Sequence, residues 1–478
     1  MADRTRRSAL TLAVVAVVPA LLAGGAAAVG HSLEKKVAVT PPTIAGAPVP
    51  PVAATPLATP LLSVRRSPGV LALSQRQDVL TEALHDLSVS VDADSCLAVG
   101  VNGRLLTGTN TANSVIPASN LKVVVAEVAL DVLGPKAVFT TKVTGPAPLN
   151  GVVQGDIHLV GGGDPVLSED WYTRPTPAHK RPPINTTSIE ALADSLIATG
   201  VQAITGSVVG VDGRYDSERH PPGWSDSIIA TPDGTAVGAL VVNDSTTAAG
   251  ALAADPALSA AGVFARLLRA RGVSIGGDIG VGEAPNTDVP LASVTSQPLP
   301  AILNEMLSTS DNLTAEMMVK EIGVTAGGAG TRSAGLSVIS NTLTKWGIPL
   351  EGVNLVDGSG LSRENRITCT SLLAVLQRGT ATDPVGAGMA VAGQDGSTLD
   401  GRFEEPGLQG VLQAKTGSLR GVKALCGYFP AGGDEIAFAL VLNGPSATSF
   451  EVRWDLLGKA LLAAAGSPSA DSLGPRPS

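Results

Sequence analysis

Residues 117–122 read Pro-Ala-Ser-Asn-Leu-Lys and lead into an apolar run that ends at Leu133, with Gly134 directly after it. A glycine just past the last apolar position is typical of a helix C-terminus, so the pattern predicts a helix from Ser119 to about Leu133. In its first turn, Ser119 and Lys122 are three positions apart and therefore share a face. The free backbone N–H groups of a helix start also point toward this serine.

This spacing makes Ser119 a candidate nucleophile and Lys122 a candidate base. A serine hydroxyl is a weak nucleophile and needs an adjacent base. A lysine can be that base only if its pKa falls from about 10.4 toward 7–8, which burial and a second nearby cation would bring about. The alternative is a helix-capping serine beside a solvated lysine, and this motif alone does not decide between the two.

Ser310-Asp311-Asn312 lies between two helical stretches, so a turn there can present a hydroxyl and an amide to a cleft. Ser310 is a candidate proton relay between Lys122 and a leaving group. Asn312 is a candidate ligand for a substrate amide carbonyl. An ordinary helix N-cap is the alternative, because Ser, Asp and Asn all favour that position.

Lys415-Thr416-Gly417 is predicted to lie at the end of a strand and is followed by Ser418. Lys415 would supply the second cation. Thr416 and Ser418 offer hydroxyls to a carboxylate, and Gly417 lets a substrate approach the backbone. The N–H groups of Ser418 and Ser119 together would form an oxyanion hole. A surface strand that ends in a turn is the alternative interpretation.

The order S-x-x-K, S-D-N, K-T-G is much less expected by chance than any one of the three motifs. In this order the motifs resemble those of penicillin-binding proteins and serine β-lactamases. The chain is most similar to the class C low-molecular-mass penicillin-binding proteins, the D-Ala-D-Ala carboxypeptidase/endopeptidase group, over about 70–465. Three more stretches carry that resemblance: Gly-Asp and Gly-Gly-Gly-Asp-Pro within 155–165, Asp-Gly-Ser-Gly-Leu-Ser at 357–362, and Gly-Gln-Asp-Gly-Ser-Thr-Leu at 393–399.

The resemblance implies an α+β fold, with a β-lactamase/transpeptidase-like domain and a large inserted domain between the SxxK and SDN motifs. An antiparallel sheet flanked by helices would form the penicillin-binding domain from 68–143 and 292–466. The insert would span 144–291. Because the insert carries none of the three motifs, we expect it to control access to polymeric peptidoglycan and to add little to acyl transfer itself.

The resemblance also implies the activity, a serine D-Ala-D-Ala carboxypeptidase or endopeptidase that cleaves peptidoglycan stem peptides through an acyl-enzyme on Ser119. The implied catalytic residues are Ser119, Lys122, Ser310, Asn312 and Lys415, and the implied substrate-binding residues are Thr416, Gly417 and Ser418. β-Lactam antibiotics are implied as covalent inhibitors, and no metal or organic cofactor is expected. The alternatives are a β-lactamase or esterase on the same scaffold and a catalytically idle wall-binding protein.

Composition restricts the other classes of function. The 478 residues are 44% hydrophobic and only 3% aromatic, which predicts a large core of aliphatic side chains. A net charge of −9 without a long basic block argues against nucleic acid as a partner. The histidines show no metal-binding spacing. Residues 272–276 match the GxSxG nucleophile elbow, but here the predicted helix precedes the strand, which is the reverse of what that motif needs.

The three cysteines, Cys96, Cys369 and Cys426, form no CxxC pair, so a zinc site or a thioredoxin-type motif is not expected. Two interpretations stay open. The preferred one treats all three as small buried side chains, and the other pairs two of them in an oxidising compartment and leaves one thiol free.

Three arginines precede an apolar run over 9–30, which indicates an export signal that is also long enough to span a membrane. Residues 1–30 are therefore interpreted as a signal peptide or a membrane anchor. We expect residues 31–67 to be a Pro/Ala-rich linker and residues 467–478 to be a disordered tail. The predicted location is exported: the cell envelope or periplasmic space, with the protein secreted or anchored by its N-terminal segment.

Overall fold

A computed structural model describes residues 68–174, 181–431 and 433–468, all within one compact unit, Leu62–Ser478. The predicted leader and linker, 1–67, and nearly all of the predicted tail lie outside the described residues. The helices are α1 Pro68–Ala83, α2 His85–Ser90, α3 Leu121–Leu133, α4 Ile189–Ala198, α5 Asp226–Ile229, α6 Pro256–Ala270, α7 Leu299–Ser308, α8 Asn312–Ile322, α9 Arg332–Lys345, α10 Cys369–Leu376, α11 Pro384–Ala387 and α12 Phe450–Ala465.

Four sheets contain the strands of the described chain. The strands are β1 Cys96–Val101, β2 Arg104–Thr109, β3 Thr140–Gly145, β4 Val152–Val153, β5 Ile157–Val160, β6 Leu167–Ser168, β7 Thr187–Ser188, β8 Ala203–Ile204, β9 Val208–Val211, β10 Ser274–Ile275, β11 Ile279–Val281, β12 Val289–Thr295, β13 Ala390–Val391, β14 Gln413–Leu419, β15 Val422–Ala431 and β16 Asp434–Asn443.

The largest sheet is antiparallel, with strand order β13-β14-β15-β16-β1-β2. Successive side chains of a strand point to opposite faces, and both faces of this sheet are buried. Along β1, Cys96 and Ala98 join a core formed with α3, α7, α8 and α10, whereas Leu97 and Val99 join a core formed with α1 and α12. This sheet flanked by helices confirms the predicted α+β class.

Two further sheets and a third hydrophobic core are built from the predicted insert and the segments beside it. The first sheet has the order β11-β9-β5-β3-β12 and the second the order β10-β8-β4. Strands β3 and β12 pair with each other from Thr140↔Thr295 to Val289↔Gly145. Both strands cross the predicted boundaries at 143/144 and 291/292, and the division into domains stays a prediction.

Local sequence accounts for several turns and helix ends. Asn102 and Gly103 both have positive φ in the turn between β1 and β2, as a tight hairpin requires. Gly272 has φ 88° just past the end of α6 and is followed by β10, so the GxSxG match has the helix before its serine, as predicted. The helical stretches on either side of Ser310-Asp311-Asn312 are α7 and α8, and a π-helical turn at Gly323–Gly327 follows α8 before α9 begins.

The preferred interpretation of the cysteines was wrong. Cys96 at the start of β1 and Cys369 at the start of α10 form a disulfide, and Cys426 is a buried free thiol. All three side chains lie in the core between the main sheet and α3. All three cysteines are buried, as predicted, but the prediction did not include the pairing of two cysteines that are far apart in sequence. Among the described helices, none has the length and apolar character needed to cross a bilayer.

Candidate active site

The candidate nucleophile lies in a tight turn that enters α3. Ala118–Asn120 form a single 3-10 turn, and α3 begins at Leu121, so the regular helix starts two residues later than predicted. Ala118 has φ 47°, a conformation that is costly for a residue with a Cβ atom. Strain of this kind persists only where surrounding contacts impose it, and here it sits directly before Ser119.

Lys122 makes three contacts that fix its side chain against Ser119. It is fully buried, and its Nζ lies 2.9 Å from Ser119 Oγ. The ammonium also donates to Asn312 Oδ1 at 2.8 Å and to the carbonyl oxygen of Ser359 at 2.7 Å. In the neutral form, the same short contact lets the amine accept the hydroxyl proton of Ser119.

Burial lowers the pKa of Lys122 from its ordinary value to about 8, against the attraction of nearby carboxylates, of which Asp311 and Glu316 are the strongest. We expected Lys415 to act as the second cation that depresses this pKa. Instead, burial is the cause at Lys122, and it is the pKa of Lys415 that is held well below its usual value, first by burial and then by the charge of Lys122.

The SDN segment forms the turn between α7 and α8. Asp311 caps α8 by accepting hydrogen bonds from the backbone N–H groups of Leu313 and Thr314, as the capping alternative predicts. Asn312 follows the cap and contacts the base, since its Oδ1 accepts a hydrogen bond from Lys122 Nζ. Within the described residues, no hydrogen bond joins Ser310 to the nucleophile or to Lys122. Ser310 has φ 68° and lines an adjacent cavity.

That cavity has a volume of about 300 Å³. Ser310 and Asn312 line one side of it. Arg181 and Asp233 are among the lining residues contributed by the predicted insert. A concave space with convergent polar groups beside a candidate nucleophile is typical of a ligand site.

The KTG segment lies in β14, where Lys415 is fully buried and its Nζ donates to the carbonyl oxygen of Thr416 at 2.8 Å. A Cβ atom on Gly417 would lie 2.9 Å from the carbonyl oxygen of Pro117, so only glycine lets β14 pack this closely against the nucleophile turn. Strand β13 pairs with β14 only at Gln413 and Ala414. From Lys415 onward, the outer edge of β14 has no strand partner among the described residues.

The loop 357–362 follows α9 in the chain and supplies the third contact of Lys122, the carbonyl oxygen of Ser359. The carboxylate of Glu316 accepts hydrogen bonds from the N–H groups of Gly358 and Ser359, which fixes the carbonyl that Lys122 contacts. Gly360 has φ 84°, and a Cβ atom there would lie 2.0 Å from the carbonyl oxygen of Ala118. This segment carries part of the family resemblance in the sequence, but none of its residues was predicted to belong to the site.

Asp357 organises this loop. It is fully buried, and its carboxylate accepts hydrogen bonds from the backbone N–H groups of Gly360 and Ser362 at 2.8 and 2.6 Å. The side chain of Asn365 donates at 2.7 Å, and the indole of Trp224 donates at 2.9 Å. The closely spaced glycines of the motif were the available signal for such a turn, since glycine allows positive φ and close backbone approach.

The predicted insert contacts the site directly. Trp224 reaches Asp357, and the backbone carbonyl of Asp233 accepts a hydrogen bond from Asn312 Nδ2 at 2.9 Å. Arg214 forms a bidentate ion pair with Glu321 of α8, in which Nε and Nη2 donate to Oε1 and Oε2, each at 2.6 Å. Two of these contacts reach groups around Lys122, and the contribution of the segment to acyl transfer stays a prediction.

The chain matches the family model described as D-Ala-D-Ala carboxypeptidase 3 (S13) family over residues 101–254 and 235–455. A D-alanyl-D-alanine carboxypeptidase of Actinomadura sp. (strain R39) is 31% identical, over 77% of this chain and 82% of that protein. Carboxypeptidase DacB of Mycolicibacterium smegmatis (strain ATCC 700084 / mc(2)155) is 29% identical, over 93% of this chain and 95% of the relative.

The fold is similar to the crystal structure of penicillin binding protein 4 (dacB) from Haemophilus influenzae, with a TM-score of 0.66 and 21% identity over 79% of this chain and 97% of that one. A complex of the same protein with a β-lactam matches with a TM-score of 0.59 and 21% identity, over 80% of this chain and 99% of the other. At this level of identity the likeness concerns the fold.

Proposed function

The chain belongs to the D-Ala-D-Ala carboxypeptidase 3 (S13) family, and from that premise we propose that it is a serine D-Ala-D-Ala carboxypeptidase of peptidoglycan that acts through Ser119. The observation that carries the proposal is the 2.9 Å contact between Lys122 Nζ and Ser119 Oγ. Because burial brings the pKa of this lysine to about 8, a useful fraction of it is neutral near physiological pH.

In the first half of the reaction, Ser119 Oγ attacks the carbonyl carbon of the penultimate D-alanine while neutral Lys122 takes the hydroxyl proton. The N–H groups of Ser119 and Ser418 would hold the oxyanion, and the side-chain amide of Asn312 has a second N–H available for a substrate carbonyl. When the C–N bond breaks, the departing amine of the terminal D-alanine receives a proton from Lys122, directly or through Ser310.

In the second half, water attacks the acyl carbon while neutral Lys122 takes a proton from that water. Lys122 then returns this proton to Ser119 Oγ as the Oγ–C bond breaks, which releases the shortened peptide and restores the neutral lysine. Lys415 keeps the site electropositive when charged, and Thr416 and Gly417 line the edge of β14 along which the peptide would lie. A β-lactam would acylate Ser119 in the same way, because its strained amide takes the place of the terminal dipeptide.

We also propose an envelope location, which the family's wall substrate supports. The assignment of 1–30 as a signal peptide or membrane anchor remains part of this proposal, as does a disordered tail at 467–478. The inserted domain at 144–291 would control access of the active site to cross-linked wall, and we include endopeptidase activity on that wall in the proposal. The same domain would also position catalytic groups through Trp224 and Asp233.

The decisive experiment measures release of D-alanine from a soluble pentapeptide that ends in D-Ala-D-Ala, for the purified protein and for Ser119→Ala. We expect turnover by the wild type and loss of at least about 10³-fold in the variant. Mass mapping of a penicillin adduct should locate it on Ser119. Persistent turnover by Ser119→Ala, or an adduct on Ser310 or Ser274, would refute the assignment. Fast release of the penicilloyl group without D-alanine release would favour a β-lactamase.

A further inference from the structure

Ser418 and Lys423 face each other directly across the hairpin of β14 and β15. Lys423 Nζ donates to Ser418 Oγ at 2.7 Å. Because the serine oxygen accepts this bond, its own O–H remains available as a donor, and within the described residues it has no acceptor. The ammonium uses one of its three N–H groups here, so both side chains have donors left for a ligand.

The aromatic ring of Phe450 lies beside the ammonium of Lys423. Lys423 Nζ lies 4.6 Å from the ring centre of Phe450, and the guanidinium carbon of Arg402 lies 5.3 Å from the same ring. No carboxylate in the described part of the chain forms an ion pair with either cation. The charge of Glu451 acts on Lys423 at longer range, and Glu404, Glu405 and Asp455 line the same cavity as Arg402. The unused N–H donors of Lys423, rather than a positive surface, are therefore what this pair offers to an anionic ligand.

The pair formed by Ser418 and Lys423 borders the candidate active site. Gly417 packs against Pro117 and the residue before the nucleophile, and Ser418 follows it as an exposed side chain on the unpaired edge of β14. The free donors of Ser418 and Lys423 are therefore next to the strand edge along which an acyl donor would bind.

We propose that Lys423 is a specificity-determining residue, which together with Ser418 binds the C-terminal carboxylate of the acyl donor. This inference rests on the proposed function and adds a cation from the neighbouring strand to the hydroxyls of the KTG segment. Donation from the ammonium makes the serine hydroxyl a stronger donor, because a hydroxyl that accepts a charged hydrogen bond is polarised toward giving up its own proton. A carboxylate then receives bonds from both groups.

The test compares paired substrates that differ only at the carboxylate: a peptide ending in D-Ala-D-Ala and the methyl ester of that peptide. The variants are Lys423→Met, Lys423→Arg and, as a control for the lost charge, Lys459→Met on the exposed face of α12. We expect Lys423→Met to lower kcat/KM for the free acid by about 10- to 100-fold, mainly through KM, and to change the ester by no more than about twofold.

Lys423→Arg should keep most of the activity on the free acid, and Lys459→Met should match the wild type on both substrates. For the wild type, kcat/KM with the free acid should fall as salt is added, and in Lys423→Met this dependence should flatten. An equal loss on acid and ester would assign Lys423 a structural role, and no loss on either would exclude it from binding. Both results overturn the proposal.

A second arm separates this inference from the proposed peptidase activity. It compares acylation of Ser119 by a penicillin with acylation by the methyl ester of that penicillin, which needs no peptide turnover. If the protein released no D-alanine, the proposed function would fail. A selective loss of free-acid acylation in Lys423→Met would still support the lysine as a carboxylate ligand, and an equal loss would still reject it.

Discussion

The indole Nε1 of Trp224 lies 2.9 Å from a carboxylate oxygen of Asp357, so a residue of the predicted insert donates a hydrogen bond into the loop that holds Lys122. Both side chains are buried, Asp357 completely. When a buried carboxylate loses a hydrogen-bond donor, the protein loses stability, because the desolvation free energy of the carboxylate oxygen is no longer offset by a hydrogen bond. The loop 357–362 and the insert are therefore coupled through this contact.

We expect Trp224→Phe to slow penicillin acylation of Ser119 by roughly tenfold, about 1.4 kcal/mol in the barrier. The aromatic ring remains, so the loss reports the missing donor to Asp357 and the resulting shift of the loop. The measurement is the second-order rate constant of acylation, with folding checked by thermal unfolding. Trp171→Phe is the matched control, since its indole makes no hydrogen bond within the described residues. Equal rate constants for the two variants would contradict the coupling.

The sequence predicted the parts of the site that depend on local geometry. The i, i+3 spacing of Ser119 and Lys122 fixes their relation within one turn. Asn312 of the SDN motif contacts Lys122, and Gly417 of the KTG motif packs against the turn before Ser119, whereas Ser310 bonds to neither. Glu316, Asp357 and Trp224 were missed because they meet through tertiary packing, which a pattern of neighbouring residues does not record. For the same reason, the pairing of Cys96 with Cys369 was left open.

The partner of Ser418 is an intermediate case. A two-residue turn, Arg420-Gly421, separates β14 from β15, and a turn of this length fixes which residues face each other. The pairing of Lys423 with Ser418 therefore follows from the sequence only when the ends of both strands, Leu419 and Val422, are known. The cause of the pKa shift at Lys122 was not derivable, because it depends on how deeply the side chain is buried and on which carboxylates surround it.

Gly360→Ala should be much more damaging than a typical glycine substitution. Its Cβ atom would lie 2.0 Å from the carbonyl oxygen of Ala118, in addition to the cost of φ 84°. Gly347→Ala is the matched control, with φ 73° and nothing within 4 Å of the added atom. Gly347→Ala should cost about 1 kcal/mol of unfolding free energy.

For Gly360→Ala we expect a loss of more than about 3 kcal/mol, or a displaced nucleophile turn with acylation slowed by at least about 100-fold. Urea unfolding and the acylation rate constant measure the two effects. Equal stabilities and equal acylation rates for the two variants would show that the loop moves away from Ala118 at little cost, and that the close approach is not required.

Counting thiols tests the disulfide. Cys96 and Cys369 are paired and Cys426 is buried. A thiol reagent should therefore react with no thiol in the folded protein, with one thiol after unfolding without reductant, and with three thiols after unfolding with reductant. Burial also raises the pKa of the Cys426 thiol to about 12, which slows its reaction further, since the thiolate is the reactive form. Three thiols without reductant would contradict the pairing.

The pKa of Lys122 makes a prediction for activity and one for stability. Acylation needs the neutral amine, so the acylation rate should rise with pH through about 8 and level off above it. For stability, the folded-state pKa lies below the value of 10.5 expected for the unfolded chain. Between these two pH values the unfolded state binds more protons, so the contribution of this group to stability rises with pH across that window.

Lys122→Met removes this titration and keeps a side chain of similar length. The unfolding free energy of the variant minus that of the wild type should therefore decrease from pH 7.5 to pH 10.5, by about 3 kcal/mol for a shift of this size. Lys136→Met, at an exposed position, controls for the loss of one lysine. Denaturant unfolding across this pH range measures the difference. If it stayed constant while acylation was lost, Lys122 would be charged in the folded protein throughout, and its role as the base would be wrong.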